Sequence, residues 1–295
     1  MRASMGLGWV DALEPDRLTG VVDIGANPID GEPPYADMLR SGLCTVTGFE
    51  PQPSALAQLR REAGPLERYL PLAIGDGHDH ELKVTWMNGM TSVLEPDVER
   101  LSTLNEFVRY GEVLERTRVA TTPLDDVEDL GPLDLLKIDV QGAELMIFAH
   151  GRRTLTQAVA VHTEVSFAPL YVDQPLFGDV DAELRAQGFV FHAFAAVKRW
   201  PVAPGVLDGE IFAHHHQVIE ADAVYVKDFG RLDLLTPDQL KHLSLVAHHV
   251  YGSCDLVVRC LARLVDTGEV APRVLDAYAT HLGRALSLDG VRSDT

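Results

Sequence analysis

Two kinds of segment alternate from about residue 20 to residue 230. Short apolar runs that end at glycine, proline or aspartate are typical of buried β-strands, and stretches with apolar residues at helical spacing lie between them. Strands that alternate with helices predict a doubly wound, mostly parallel α/β sheet with right-handed crossovers. The predicted strands are 21–24, 45–49, 69–74, 81–86, 133–140, 158–165, 189–194 and 218–226.

The predicted strand at 133–140 (LDLLKIDV) is almost continuously apolar. Such a run is typical of a parallel strand that helices cover on both faces, so we place it at the centre of the sheet. A helix is predicted at 142–150, and Pro51 and Pro53 mark the start of another helix after the second strand. The order of elements favours a Rossmann-like fold.

The pattern becomes purely helical beyond residue 232. Residues 235–265 have helical spacing from Thr236 or Pro237 onward, and 270–287 reads as another helix. We therefore predict an α/β domain at 1–231 and a helical appendage at 232–295. The apolar side chains of the appendage either bury against the sheet or form a homodimer interface, and both alternatives stay open. These side chains are Leu243, Val246, Val250, Val257, Leu261 and Leu264.

Composition narrows the classes of protein. Hydrophobic residues make up 46% of the 295 residues, enough for a full core. The 44 acidic and 25 basic residues give a net charge of −19, which disfavours binding to nucleic acid or to an anionic membrane. The three cysteines show no disulfide or zinc spacing, and neither a secretory leader nor a membrane-spanning run is evident. We expect a cytoplasmic protein without a bound metal.

The turn after the first predicted strand has the features of a nucleoside site. Gly25, Ala26 and Asn27 are small residues that let a ligand approach the backbone closely. Glu50 stands at the end of the second strand, where a carboxylate accepts both hydroxyls of a ribose. This pair of features serves NAD or S-adenosylmethionine equally well.

The loop after Asn27 favours S-adenosylmethionine over NAD. A pyrophosphate needs the fuller GxGxxG turn, whereas the segment 28–34 is rich in proline and contains Asp30 and Glu32. An acidic crevice suits the sulfonium and ammonium groups of the methyl donor. Asp76 lies between two glycines after the third strand, where it either accepts the adenine amine or makes an ordinary turn.

Several motifs resemble the FkbM-type methyltransferases, in the same order along residues 20–195. They are VVDIGAN, TGFEPQPSAL, LAIGD, GMTSVLEP, TTPLDD, LLKIDVQGAEL and HTEVSFAPLY. The resemblance implies a class I methyltransferase sheet whose last strand is antiparallel, S-adenosylmethionine as cofactor, and O-methylation of a sugar, glycan or polyketide-like hydroxyl.

The same resemblance implies roles for particular residues. Asp23, Gly25, Ala26 and Asn27 match the first cofactor motif, Glu50 matches the ribose-binding acid and Asp76 the adenine-side acid. Asp139 would face the methionine part of the cofactor and the substrate cleft. The proline-rich loop at 28–34 departs from the short glycine turn of many family members, and it is a candidate for reaching toward the substrate.

An alcohol is a poor nucleophile while protonated, so the predicted reaction benefits from a positioned base. Asp139, His162 and Glu164 lie at strand ends, where ligands of open α/β sheets bind. His162 and Glu164 are two residues apart and share a face of their strand. The sequence does not decide between these three as the base, and His162 with Glu164 also fits a purely structural pair.

The segment 89–94 is a candidate substrate-side lid or a plain connector, with Met90, Thr91 and Ser92 as candidate substrate contacts, and His215 is a candidate contact at the cleft mouth. Two histidine clusters, 78–80 and 214–216, fit solvated loops better than a metal site, because neighbouring side chains of an extended run point apart.

The nucleoside site and the resemblance together predict an S-adenosylmethionine-dependent O-methyltransferase. The alternatives are an NAD-linked oxidoreductase and a non-catalytic assembly protein with the same fold.

Overall fold

The computed structural model describes residues 8–27, 31–213 and 215–286. Its strands are β1 (Thr19–Ile24), β2 (Cys44–Phe49), β3 (Glu67–Leu70), β4 (Ala73–Ile74), β5 (Asp79–Thr85), β6 (Val113–Thr122), β7 (Leu135–Ile138), β8 (Ala160–Ser166), β9 (Phe189–Trp200) and β10 (Gln217–Lys227). Its α-helices are α1 (Gly8–Leu13), α2 (Ala36–Arg40), α3 (Pro53–Glu62), α4 (Val98–Leu101), α5 (Phe107–Tyr110), α6 (Glu144–Ala149), α7 (Arg152–Leu155), α8 (Phe177–Ala186), α9 (Pro237–His249), α10 (Cys254–Asp266) and α11 (Arg273–Leu282).

Within the described residues, seven strands form the main sheet in the order β3-β2-β1-β7-β8-β10-β9. The pairs from β3 to β8 are parallel, and β10 is antiparallel to both of its neighbours. The mostly parallel α/β sheet and its antiparallel last strand are therefore confirmed. Strand β7 lies at the centre, between β1 and β8, where the uninterrupted apolar run placed it.

The core of the main sheet consists of apolar side chains on both faces of the central strands. Leu135, Leu136 and Ile138 of β7 are fully buried. Helix α6 adds Ile147 and Phe148, which form one apolar cluster with Leu136 and Ile138. Burial of a side chain of this size contributes roughly 1.5–3 kcal/mol, so each of these buried residues stabilises the sheet.

A second, three-stranded sheet in the order β4-β6-β5 corrects two of the predictions. The predicted strand at 69–74 divides around Pro71, with β3 in the main sheet and β4 in the small one. Proline has no N–H to donate to a strand ladder, which favours a break there. Strand β6 was not predicted, because its run VLERTRVATT is charged and mostly exposed. The antiparallel β5–β6 pair gains its stability from backbone pairing and cross-strand contacts instead.

The chain divides into two compact units. One comprises residues 19–228, and the other combines the described parts of residues 1–18 and 229–295. The division into an α/β domain at 1–231 and a helical appendage at 232–295 stays a prediction. The segment predicted as one helix from 235 to 265 is two helices, α9 and α10, separated at Gly252, whose φ of 64° ends the helical path.

The second unit is helical, and aromatic side chains pack together in its interior. Helix α9 begins with the predicted Thr236, whose side chain and that of Gln239 cap each other's backbone N–H groups. Trp9 of α1, which the sequence analysis missed, is fully buried and packs against His249 and Tyr278. Five of the six apolar appendage residues are buried within the single chain, namely Leu243, Val246, Val257, Leu261 and Leu264. Homodimerisation through these helices stays a prediction.

No helix in the described ranges has the length and apolar character needed to cross a membrane.

Candidate functional site

Two cavities lie at the carboxyl ends of the parallel strands in the larger unit. The first, which we call cavity 1, combines polar groups with an apolar wall. Its polar lining includes Gly25, Asn27, Glu50, Gln52, Thr91, Ser92, Asp139 and Gln141, and its apolar lining includes Phe49, Leu72, Ile74, Leu82 and Val140. This is the edge at which open α/β sheets bind their ligands.

Gly25 allows the ends of three strands to meet at cavity 1. Its φ is 75°, in the left-handed region that favours glycine, and a Cβ there would lie 2.0 Å from the carbonyl oxygen of Asp139. The amides of Gly25 and Ala26 both donate to the Phe49 carbonyl at 3.2 Å. The glycine of this turn is therefore required by the backbone itself, and the turn brings β1, β2 and β7 together beside the cavity.

Glu50 occupies the predicted place at the end of β2. Glu50 is 2% exposed, and its Oε1 accepts the amide N–H of Gln52 at 2.7 Å. Burial raises the pKa of Glu50; the charge of Asp23 raises it further, whereas the Gln52 amide and Lys137 act in the opposite direction. A buried carboxylate beside an apolar wall suits a ligand that offers hydroxyl donors and a flat ring.

Asp76 is held by neighbouring groups. Its Oδ1 lies 2.8 Å from His80 Nε2 and accepts the His78 amide at 3.0 Å and the Thr121 hydroxyl at 3.2 Å. Burial acts to raise the pKa of Asp76, but the hydrogen bonds from His80 and the His78 backbone outweigh it and lower the pKa. Its partner Thr121 lines cavity 1, whereas Asp76 is not among the described residues that do so. The adenine-side role of Asp76 stays a prediction.

The second cavity, cavity 2, is strongly charged. Its lining includes Asp23, Ala26, Asn27, Tyr35, Tyr69, Lys137, Asp139, His162, Glu164, Lys198 and Asp222. Strand register explains this concentration of charge, because Asp23 pairs with Lys137 and Lys137 pairs with His162 in adjacent strands. Paired residues of a sheet point to the same face. Three side chains that are distant in sequence therefore form one polar row.

Asp23 is part of that row, and two side chains hold it in place. Its Oδ2 accepts the Tyr35 hydroxyl at 2.6 Å, and its Oδ1 lies 3.3 Å from Lys137 Nζ. The Lys137 ammonium also donates to the Gly25 carbonyl at 3.3 Å. Lys137, which the sequence analysis left out of the site, thus ties the cavity 2 row to the turn of cavity 1. The predicted cofactor contact of Asp23 stays a prediction.

His162 and Glu164 both line cavity 2, as expected for two residues on one face of a strand. Burial lowers the pKa of His162 to about 4, with a further lowering from Lys137. Burial and the neighbouring Glu220 carboxylate raise the pKa of Glu164 well above its ordinary value. Lys198 Nζ lies 3.4 Å from Glu164 Oε1 and 2.8 Å from Glu220 Oε2, so one ammonium serves two buried carboxyls.

Asp139 and Asn27 line both cavities. Two residues along the chain, Gln141 donates its side-chain amide to Asp139 and to Glu164. The sequence analysis placed Gln141 within a family motif but gave it no role. The backbone of Gln141 has a left-handed φ of 57°, which is uncommon for a residue other than glycine. The sequence does not reveal this conformation, because the residue type does not predict it.

The predicted substrate-side residues lie in different surroundings. Thr91 and Ser92 line cavity 1, whereas Met90 is buried and its carbonyl accepts the Tyr171 hydroxyl at 3.0 Å. His215 is exposed, with Nδ1 2.7 Å from the Phe212 carbonyl, and it is not among the described residues that line either cavity. The substrate contacts predicted at these four positions stay predictions. Residues 28–30 and 214 lie outside the described ranges.

Cavity 1 fits the parts of S-adenosylmethionine. The buried Glu50 carboxylate matches a pair of ribose hydroxyls, and the wall of Phe49 and Ile74 matches an adenine ring. The Asp139 carboxylate provides a negative charge for the cationic end. Gly25 keeps the backbone of the turn free of a side chain, so the cofactor can lie close to it.

Comparison with known proteins shows the family of the chain. The methyltransferase FkbM domain matches residues 23–191. The 2-O-methyltransferase NoeI of Sinorhizobium fredii (strain NBRC 101917 / NGR234) is 33% identical over 178 residues, which cover 56% of this chain and 70% of that protein. Fold and site thus define an S-adenosylmethionine-dependent methyltransferase. The chain belongs to the FkbM methyltransferase family. The prediction of this enzyme class, rather than an NAD-linked oxidoreductase, is confirmed.

Solved structures of methyltransferases are more distant. The magnesium protoporphyrin IX methyltransferase of Synechocystis PCC 6803 with bound S-adenosylmethionine is 11% identical with a TM-score of 0.34, covering 75% of this chain and 76% of that one. The precorrin-6y C5,15-methyltransferase of Geobacter metallireducens GS-15 is 12% identical with a TM-score of 0.34, covering 74% and 86%. Structural similarities this low carry no information about the methyl acceptor.

Proposed function

We propose that this enzyme methylates a hydroxyl of a sugar, a glycan or a polyketide-like molecule, with the cofactor in cavity 1 and the acceptor in cavity 2. The observation that carries the proposal is that Asp139 lines both cavities. A methyl transfer needs donor and acceptor to meet in line at one point, and the end of β7 is such a point. Alignment of this kind lowers the barrier by roughly 7–11 kcal/mol at the extreme.

The residues of cavity 1 hold the methyl donor. S-adenosylmethionine, when bound, supplies a methyl group that its sulfonium activates. Glu50 binds the ribose hydroxyls, and the apolar wall around Phe49 holds the adenine. Gly25 and Asn27 place backbone and amide groups beside the amino-acid end.

Asp139 is the proposed proton acceptor for the acceptor hydroxyl. Glu164 is a poorer candidate, because burial and the neighbouring Glu220 carboxylate raise its pKa and so favour the protonated form, which cannot take up another proton. His162 stays neutral there, but a pKa of about 4 makes it a weak base. We assign His162 and Lys137 to binding acceptor hydroxyls in cavity 2. A positioned base typically accelerates such a reaction by about 10²–10⁴-fold.

The polar lining of cavity 2 supports a polyhydroxylated acceptor. Carboxylates such as Asp139 and Asp222 accept hydrogen bonds, and Lys137 and Lys198 donate them, so neighbouring hydroxyls of either orientation find partners. The similar protein NoeI carries the name of a 2-O-methyltransferase, which also favours oxygen as the acceptor atom.

Two measurements test this proposal. Calorimetry with S-adenosylmethionine, S-adenosylhomocysteine and NAD should give heat with the first two only. Turnover is then followed as S-adenosylhomocysteine release with a panel of free sugars, glycans and polyketide alcohols. Asp139→Asn should lose about 10²–10⁴-fold in turnover at saturating S-adenosylmethionine. Methylation of amines or carboxylates alone, with every hydroxyl acceptor inert, would contradict the assignment.

A further inference from the structure

We propose that Gln141 is a positioning residue whose side-chain amide holds Asp139 and Glu164 in one fixed arrangement between the two cavities. The inference rests on the proposed function, in which Asp139 receives the proton of the acceptor. Gln141 lines cavity 1, Glu164 lines cavity 2 and Asp139 lines both. The amide therefore connects the donor side of the site to the acceptor side.

Both hydrogens of the amide have a carboxyl partner. Gln141 Nε2 lies 2.9 Å from Asp139 Oδ1 and 2.8 Å from Glu164 Oε2. An amide nitrogen carries two N–H donors, so one group serves the two carboxyls. Without it, Glu164 would keep its ion pair with Lys198, but Asp139 and Glu164 would lose the donor that lies between them.

Gln141 has an unusual backbone conformation and is itself held by two contacts. Its backbone has a φ of 57°, and its carbonyl accepts the Ser92 hydroxyl at 2.7 Å. Its Oε1 lies 3.3 Å from the hydroxyl of the buried Tyr171, which also lies 3.0 Å from the Met90 carbonyl. A residue that is held in a sparsely populated backbone region while its side chain bridges two acids is typical of functional sites.

This arrangement has an electrostatic consequence. Hydrogen bonds to the ionised form of a carboxyl lower its pKa, so the amide opposes the effect of burial on Glu164. Loss of the amide should raise the pKa of Glu164 further and leave Asp139 without its orientation. The pH dependence of turnover should change with it, whereas the affinity for cofactor depends mainly on Glu50 and the apolar wall of cavity 1.

The first test uses Gln141→Gly and Gln141→Asn. Glycine accepts a positive φ without strain, and asparagine tolerates it while its amide is one methylene too short to reach both carboxyls. Both variants should lose about 100-fold in kcat, with a Kd for S-adenosylhomocysteine within about threefold of wild type. Glu106→Gly is the matched control, because Glu106 also has a positive φ, of 67°, and does not line either cavity.

The second test needs no cofactor. Infrared difference spectra of the cofactor-free protein follow the protonated carboxyl band through a pH titration, with Glu164→Gln identifying the band. Gln141→Gly and Gln141→Asn should move its midpoint upward by about one pH unit or more. Tyr171→Phe, which keeps the amide but frees its oxygen, should give a smaller shift in the same direction.

The outcomes separate this inference from the proposed function. If wild type methylates no hydroxyl acceptor, the proposed function fails, and the infrared titration still decides the role of Gln141. Unchanged kcat and an unchanged midpoint in both Gln141 variants would overturn the inference. So would a loss confined to cofactor affinity, since Gln141 would then be a cofactor contact. If Gln141→Gly does not fold, Gln141→Asn and Tyr171→Phe carry the test.

Discussion

Glu144 is a buried acid next to the site, and its protonation should be visible in the stability of the whole protein. It begins helix α6 and is 5% exposed. Its Oε1 accepts the amides of Val140 at 2.9 Å and Gly142 at 3.2 Å. Burial raises its pKa from the ordinary 4.5 to about 7, against the effect of these amides and with a smaller contribution from Asp139.

The raised pKa sets the sign and the size of the effect. The folded protein holds this proton up to about pH 7, whereas the unfolded chain releases it near pH 4.5. Stability from this group is therefore full below about pH 4.5 and is lost as the pH rises to about 7. One pH unit of difference in pKa corresponds to about 1.4 kcal/mol, so the whole rise is worth about 3 kcal/mol.

The variant Glu144→Gln keeps an oxygen that accepts the two amides but has no proton to lose. Relative to wild type, its free energy of unfolding should increase by about 2 kcal/mol between pH 5.5 and pH 8, the part of the effect that falls in this window. Urea unfolding followed by circular dichroism at each pH gives this difference directly. The exposed Glu99 lies in the first turn of helix α4, and Glu99→Gln serves as the control with a flat difference.

A pH-independent difference between Glu144→Gln and wild type would refute the reasoning. Glu144 would then have the same pKa in the folded and unfolded chain, and burial would not govern its ionisation. A difference that falls with rising pH would be equally damaging, because it would mean that the two amides hold the carboxylate more strongly than burial opposes it.

Three further predictions concern the site. Glu50→Ala should weaken S-adenosylhomocysteine binding by at least about 100-fold in calorimetry, since two hydrogen bonds to a charged acceptor are lost, while the exposed Glu62→Ala should bind normally. Gly25→Ala should lower the free energy of unfolding by more than about 1–2 kcal/mol in urea, because it adds a clash with the Asp139 carbonyl to the cost of a left-handed alanine. His162→Ala should bind the cofactor as wild type does, but it should transfer the methyl group more slowly. A wild-type rate of methyl transfer at saturating acceptor would show that His162 does not belong to the acceptor site.

The sequence by itself determined the elements whose signals are local. The apolar run at 133–140 identified the central strand, and the glycine turn with Glu50 identified residues that line cavity 1, since both depend on neighbouring residues or on one strand spacing. The same logic failed at β6, whose charged run shows no buried face. It also failed at 69–74, where one apolar segment serves two sheets.

Only the tertiary structure decided which cavity each side chain reaches. Asp23 and Gly25 stand two residues apart, yet one lines cavity 2 and the other cavity 1, because the chain leaves the strand at the glycine and changes direction. The bridge from Gln141 to Asp139 and Glu164 depends on the ends of β7 and β8 lying side by side. Contacts of this kind arise from strand pairing and a left-handed turn, which no single-residue pattern encodes.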